Sequence, residues 1–147
     1  MKVLTDYAGC FVGKPYVWGG TGAVGFDCSG LVQEILSSVG IDPAGDQTAK
    51  ALYDHFVLSG VVNPKPQVGA LVFYGSSIAK INHVAFMVNE HQIVEAGGGG
   101  SSSVDAKTSD KNGALVRLRP YRHRKDLLSI IMPNYPDWVK GIVNGLA

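Results

Sequence analysis

The chain has 147 residues, with hydrophobic side chains at 46% and charged ones at 17%. That balance excludes a disordered chain and supplies enough apolar surface for one compact domain, expected to span residues 1–147. A net charge of +1 argues against a nucleic-acid binder, which carries a strong basic excess.

No run approaches the ~18 apolar residues of a membrane span, so no membrane partner is expected. Met1-Lys2-Val3-Leu4 gives way at once to Thr5, Asp6 and Tyr7, which lacks the apolar core of a secretory leader. The expected location is the cytoplasm at synthesis, with any exit by another route. Residues 2–12 mix apolar and small side chains before Gly13 and suit a short helix. Residues 13–27 are rich in glycine and aromatics and read as a structured loop. From Cys28 onward, Leu31, Val32, Ile35, Leu36 and Val39 recur at helical spacing and Gly40 closes the run. Thr48 to Leu58 reads as another helix, with Ala51, Leu52, His55 and Phe56 on one stripe.

After Gly60 the period shifts towards two. Strands are expected at Val68–Tyr74, His83–Val88 and Gln92–Ala96, the last two forming a hairpin around Asn89 and Glu90. Gly97 to Ser103 reads as a flexible loop. Ala114–Leu118 and Leu127–Met132 read as two more strands, and Tyr135 to Leu146 as a short helix packing Trp138, Val139 and Ile142. Helices first and an antiparallel sheet after give an α+β class.

Two cysteines are present, Cys10 and Cys28. Cys10 lies inside an amphipathic run and reads as a structural residue. Cys28 stands at the first turn of a helix, where partial positive charge and free N–H groups favour an anion. It reads either as a buried apolar cysteine or as a nucleophile. A nucleophile needs an imidazole to take its proton. His55 on its apolar stripe reads as a core or edge residue, and His91 near the hairpin turn as exposed. His123, between Arg122 and Arg124, reads as surface, as does the basic cluster Arg117 to Lys125. His83 opens a strand after a loop, from which its side chain can lean over the sheet edge. Strand alternation puts Glu95 near it on the neighbouring strand, either as the group that orients the imidazole or as an exposed strand carboxylate. No Cys/His cluster has ligand spacing, so no metal or other cofactor is expected.

The run Pro15-Tyr16-Val17-Trp18-Gly19-Gly20-Thr21-Gly22, then Gly25-Phe26-Asp27-Cys28-Ser29-Gly30-Leu31-Val32, closely resembles the signature of the NlpC-type cell-wall peptidases. The likeness continues through Gly69–Tyr74 and Asn82–Val88 and covers roughly residues 5–132. The resemblance implies a circularly permuted papain-like fold, with Cys28 as nucleophile, His83 as base and Glu95 at the third position. It places Tyr16 beside the thiol and Trp18, Asp27 and Ser29 among the substrate-contacting residues. The substrate class it implies is the peptidoglycan stem peptide, cut next to γ-linked D-glutamate. A small copy of this kind also resembles the versions in bacteriophage tail modules and prophages, with tail proteins as partners. Three positions depart from the pattern. Glu95 stands where histidine is commonest, Ala70 where aspartate often follows the strand glycine, and Gln47-Thr48-Ala49 where an arginine is common. An amidase or acyltransferase on another substrate, and a non-catalytic structural tail component, are the competing expectations.

Overall fold

The computed structural model describes residues 1–22, 24–99, 103 and 105–141. Three helices lead: α1 (Lys2–Gly9), α2 (Cys28–Ser37) and α3 (Ala49–Val57). Each buries a stripe set by helical spacing: Leu4 and Ala8 on α1, Leu31, Val32, Ile35 and Leu36 on α2, Leu52 and Phe56 on α3. Two begin with a side-chain cap that satisfies an otherwise orphaned N–H. Asp27 accepts from Gly30 N at 2.7 Å, and Thr48 Oγ1 accepts from Ala51 N at 3.1 Å.

The strands that follow are β1 (Val61–Val62), β2 (Leu71–Gly75), β3 (Ile81–Met87), β4 (Gln92–Gly97), β5 (Leu115–Pro120) and β6 (Leu127–Met132). A 3₁₀ turn at Ile78–Lys80 joins β2 to β3, α4 (Ala106–Lys111) precedes β5, and α5 (Asp137–Lys140) follows β6. The strands form one antiparallel sheet in the order β1-β6-β2-β3-β4-β5. Alternation divides the sheet's apolar side chains. Leu71, Phe73, Val84, Phe86, Val94 and Ile131 join the helices in the main core. Val72, Tyr74, Ala85, Met87, Ile93 and Ile130 form a second cluster on the other face.

This is the α+β arrangement expected from helical periods giving way to strand periods. Four local expectations are corrected. The first helix ends at Gly9, not beyond it, and Cys10 is exposed rather than packed. His55 is exposed although its stripe neighbours Leu52 and Phe56 are buried. Trp138 is also exposed, while Val139 is buried; residues 142–146, with Ile142, lie outside the described residues. Strand β1 and helix α4 were not expected. β1 is two residues long, and α4 (Ala-Lys-Thr-Ser-Asp-Lys) carries no apolar period.

Candidate active site

The glycine-rich segment before α2 is shaped by close approach. Gly30, in the first turn of α2, packs against the backbone of Gly20: a Cβ at Gly30 would lie 2.1 Å from the Gly20 carbonyl oxygen. Asp27 ties the same two pieces together. Its Oδ1 accepts from Gly30 N and, at 3.3 Å, from Ser29 Oγ, while its Oδ2 accepts from Gly19 N at 3.1 Å. Burial raises the Asp27 pKa, and these three hydrogen bonds work against that rise. The result is a fixed helix start with Cys28 as its first residue, partly exposed. Asp27 takes up the N–H of Gly30 with its side chain and that of Leu31 with its carbonyl oxygen. The N–H groups of Cys28 and Ser29 are left without intrahelical acceptors.

His83 lies on β3 and Glu95 on β4, and both are buried, 7% and 3% exposed. His83 Nε2 stands 2.6 Å from Glu95 Oε2. The other ring nitrogen, Nδ1, is left for Cys28, which acts on the imidazole electrostatically. Burial disfavours the imidazolium, but the interactions with Cys28 and Glu95 outweigh it and raise the His83 pKa to about 9. Burial would likewise raise Glu95. Its bond to His83 and the nearby positive charge hold its carboxyl below the usual range. Tyr74, opposite His83 across β2 and β3, packs its ring 5.5 Å from the imidazole and donates its hydroxyl to Tyr121 O at 2.6 Å.

Cys28, His83 and Glu95 open onto a cleft of about 490 Å³ whose walls also include Tyr16, Trp18, Asn82, Gly97, Gly98, Gly99, Arg119, His123 and Arg124. A wider hollow of about 910 Å³ between α1 and the β3–β4 turn holds no thiol. Tyr16 is buried with its ring against the backbone of Gly99, where a Cβ would come within 2.3 Å of it. Trp18 is 55% exposed and anchored by its N–H, which donates to Ser103 O at 2.7 Å. So Gly98 and Gly99 form part of the cleft wall and Ser103 is buried; residues 100–102 lie outside the described residues. Asp27 and Ser29 sit in the helix cap rather than on the cleft lining.

His123 and two members of the basic cluster, Arg119 and Arg124, are corrected from surface to site, whereas Arg122 and Lys125 are exposed as expected. His123 Nε2 lies 3.2 Å from Glu95 Oε1, and Arg119 Nε lies 3.3 Å from the same oxygen. Arg124 is held by both oxygens of Asp126, donates to Asn82 Oδ1 at 3.2 Å, and covers the Tyr74 ring at 5.1 Å. No local signal in the sequence marks these residues, because their placement follows from strand pairing. β5 pairs with β4, so Arg117 stands opposite Glu95 and Arg119 opposite Ile93.

Helices packed on one face of an antiparallel sheet, with a helix-start thiol set against a strand-borne imidazole, define an α+β domain of the thiol–imidazole type. The chain belongs to the NlpC/P60 family, whose profile matches residues 13–119. It is 33% identical over 125 residues to a gamma-D-glutamyl-L-lysine dipeptidyl-peptidase of Bacillus subtilis, covering 82% of this chain and 36% of that one. Four curated relatives are matched over only 17%, 25%, 28% and 36% of their length. Among solved structures, the NlpC/p60 domain of the peptidoglycan hydrolase SagA superposes with a TM-score of 0.64 at 23% identity, covering 88% of this chain and 96% of that one. RipD of Mycobacterium tuberculosis, described as a non-catalytic NlpC/p60 domain protein adapted to peptidoglycan binding, superposes with a TM-score of 0.67 at 20% identity, covering 90% and 95%. Both likenesses establish the fold.

Proposed function

We propose that this chain is a cysteine peptidase that hydrolyses an amide bond of the peptidoglycan stem peptide. The observation that carries the reading is a partly exposed thiol at the helix start beside the buried pair His83–Glu95, with 2.6 Å between the imidazole and the carboxylate. His83 takes the Cys28 proton, and Sγ attacks the amide carbonyl carbon. The oxyanion forms beside the N–H groups of Cys28 and Ser29 at the helix start. His83, now imidazolium and held by Glu95, gives its proton to the leaving amine as the C–N bond breaks. A water, deprotonated by His83, then attacks the thioester and releases the acid and the free thiol.

The bond next to γ-linked D-glutamate is the finer assignment, supported by the name of the Bacillus subtilis relative. The bacteriophage-tail setting has no support among the relatives named above and is not part of this reading. The non-catalytic alternative draws on the likeness to RipD. The retained thiol, imidazole and carboxylate favour hydrolysis over it.

Incubating purified protein with muropeptides of known stem sequence, and weighing the products by mass spectrometry, tests the assignment. New fragments that add one water across a stem amide are expected, and Cys28→Ala abolishes them. Undiminished cleavage by Cys28→Ala, or cleavage of lipid or glutamine amides alone, sinks it.

A further inference from the structure

Beyond the thiol, the imidazole and one carboxylate, a second imidazole closes on the same carboxylate. Glu95 uses Oε2 for His83, and its Oε1 faces His123 Nε2 at 3.2 Å and Arg119 Nε at 3.3 Å. Both nitrogens are buried, and neither has any other hydrogen-bond partner among the described residues. Both lie within hydrogen-bonding distance of Oε1, and their N–H groups are not aligned on it. Arg119 Nη1 lies 3.5 Å from His123 Nδ1. A guanidinium only donates, so Nδ1 accepts there and the proton of a neutral His123 sits on Nε2, the nitrogen 3.2 Å from Glu95 Oε1. Tyr74 packs on both imidazoles, 5.5 Å from His83 and 6.1 Å from His123.

We propose that His123, its tautomer set by Arg119, is a positioning residue that holds Glu95 so that Oε2 faces His83. Left to rotate, a carboxylate between two strands presents either oxygen in several orientations; a donor on Oε1 leaves one. The contact also favours the ionised carboxylate, which stabilises the imidazolium that forms during acyl transfer. The groups around Glu95 are His83 from β3, Arg119 and the directly opposite Arg117 from β5, and His123 from the β5–β6 turn. Arg124 and Asp126 of that turn and Tyr74 of β2 complete the charged and titratable surroundings.

The inference rests on the catalytic reading of this site, so its test has an arm that needs no turnover. His123→Phe is expected to lower kcat about tenfold with KM changed less than about twofold, and His123→Gln, which keeps a donor towards Oε1, to recover most of it. In a Glu95→Gln background, His123→Phe is expected to cost less than about twofold further, because it acts through the carboxylate. NMR titration of the His83 ring is expected to move to lower pH in His123→Phe. Should that variant fail to fold, Arg119→Lys is expected to give a smaller shift in the same direction. Unchanged kcat, equal losses in both backgrounds, or a His83 titration that stays or rises overturns the proposal. A wild-type protein that cleaves nothing while the titration still moves leaves the coupling standing and removes the peptidase reading instead.

Discussion

His83 and Glu95 touch at 2.6 Å without being cross-strand partners. The register of β3 and β4, with Phe86 opposite Val94 and Met87 opposite Ile93, carries back to set Gly97 opposite His83 and Glu95 on the diagonal. Diagonal neighbours on one face are within reach of long side chains. The residue opposite must therefore be small, or it would stand between them.

Glu95→Gln keeps the shape and removes the charge. It is expected to lower kcat about 10²-fold, the scale of one general acid–base contribution. The alkaline limb of the pH profile is expected to move to lower pH, since Glu95 is one of the groups raising the His83 pKa. A pH–rate series on both proteins checks this; a profile that does not move refutes it.

The His83 pKa of about 9 has its own consequence for pH dependence. Hydrolysis is expected to hold through neutral pH and to fall as pH rises through about 9, where His83 loses the proton the leaving amine needs. Stability follows the same sign. A folded pKa above the ordinary 6.5 gives stabilisation that is complete below 6.5 and lost as pH rises through about 9. Glu95, held low, contributes stability above its ordinary pKa of 4.5 that is lost as pH falls through its folded value. Because Cys28 is a leading cause of the His83 rise, Cys28→Ala is expected to lower the His83 titration point, measured by NMR.

Gly30→Ala places a methyl 2.1 Å from the Gly20 carbonyl oxygen, a backbone atom that cannot step aside alone. The expected destabilisation is about 1–3 kcal/mol, as for other overpacked sites, with kcat reduced because the helix start that carries Cys28 is displaced. Thermal melting and steady-state kinetics read the two effects separately.

Two cleft-wall glycines should behave oppositely. A Cβ at Gly97 meets Glu95 at 3.5 Å and His83 at 3.8 Å, ordinary contact, so Gly97→Ala is expected to keep activity within about twofold. A Cβ at Gly99 meets the Tyr16 ring at 2.3 Å, so Gly99→Ala is expected to push Tyr16 aside and raise KM. Equal effects from the two substitutions would contradict the wall described for the cleft.

Local pattern made Cys28 and His83 candidates, one by its place at a helix start after a glycine-rich run and the other by its place at the start of a strand, and the family resemblance assigned their roles. Glu95 needed only period-two alternation and one hairpin. His123 and Arg119 were not legible, because their role depends on two non-local pairings. β5 must pair with β4, and the turn after it must swing back across the sheet end towards β6. Reading His123 from its chain neighbours Arg122 and Arg124 pointed to the surface, whereas its neighbours in space are Glu95 and Tyr74. The sheet order, with β6 between β1 and β2, was likewise beyond local pattern.

The carboxylate of Asp27 does more than begin a helix. Through Oδ2 it grips Gly19, the residue after Trp18, and Trp18 is itself bonded to Ser103 beyond the glycine loop. The backbone of Trp18 on the cleft wall, the buried Ser103 and the helix start that carries Cys28 are thus joined through two hydrogen bonds and a peptide link. Loss of the Asp27 carboxylate would therefore free the Trp18–Gly19 backbone as well as the first turn that carries Cys28.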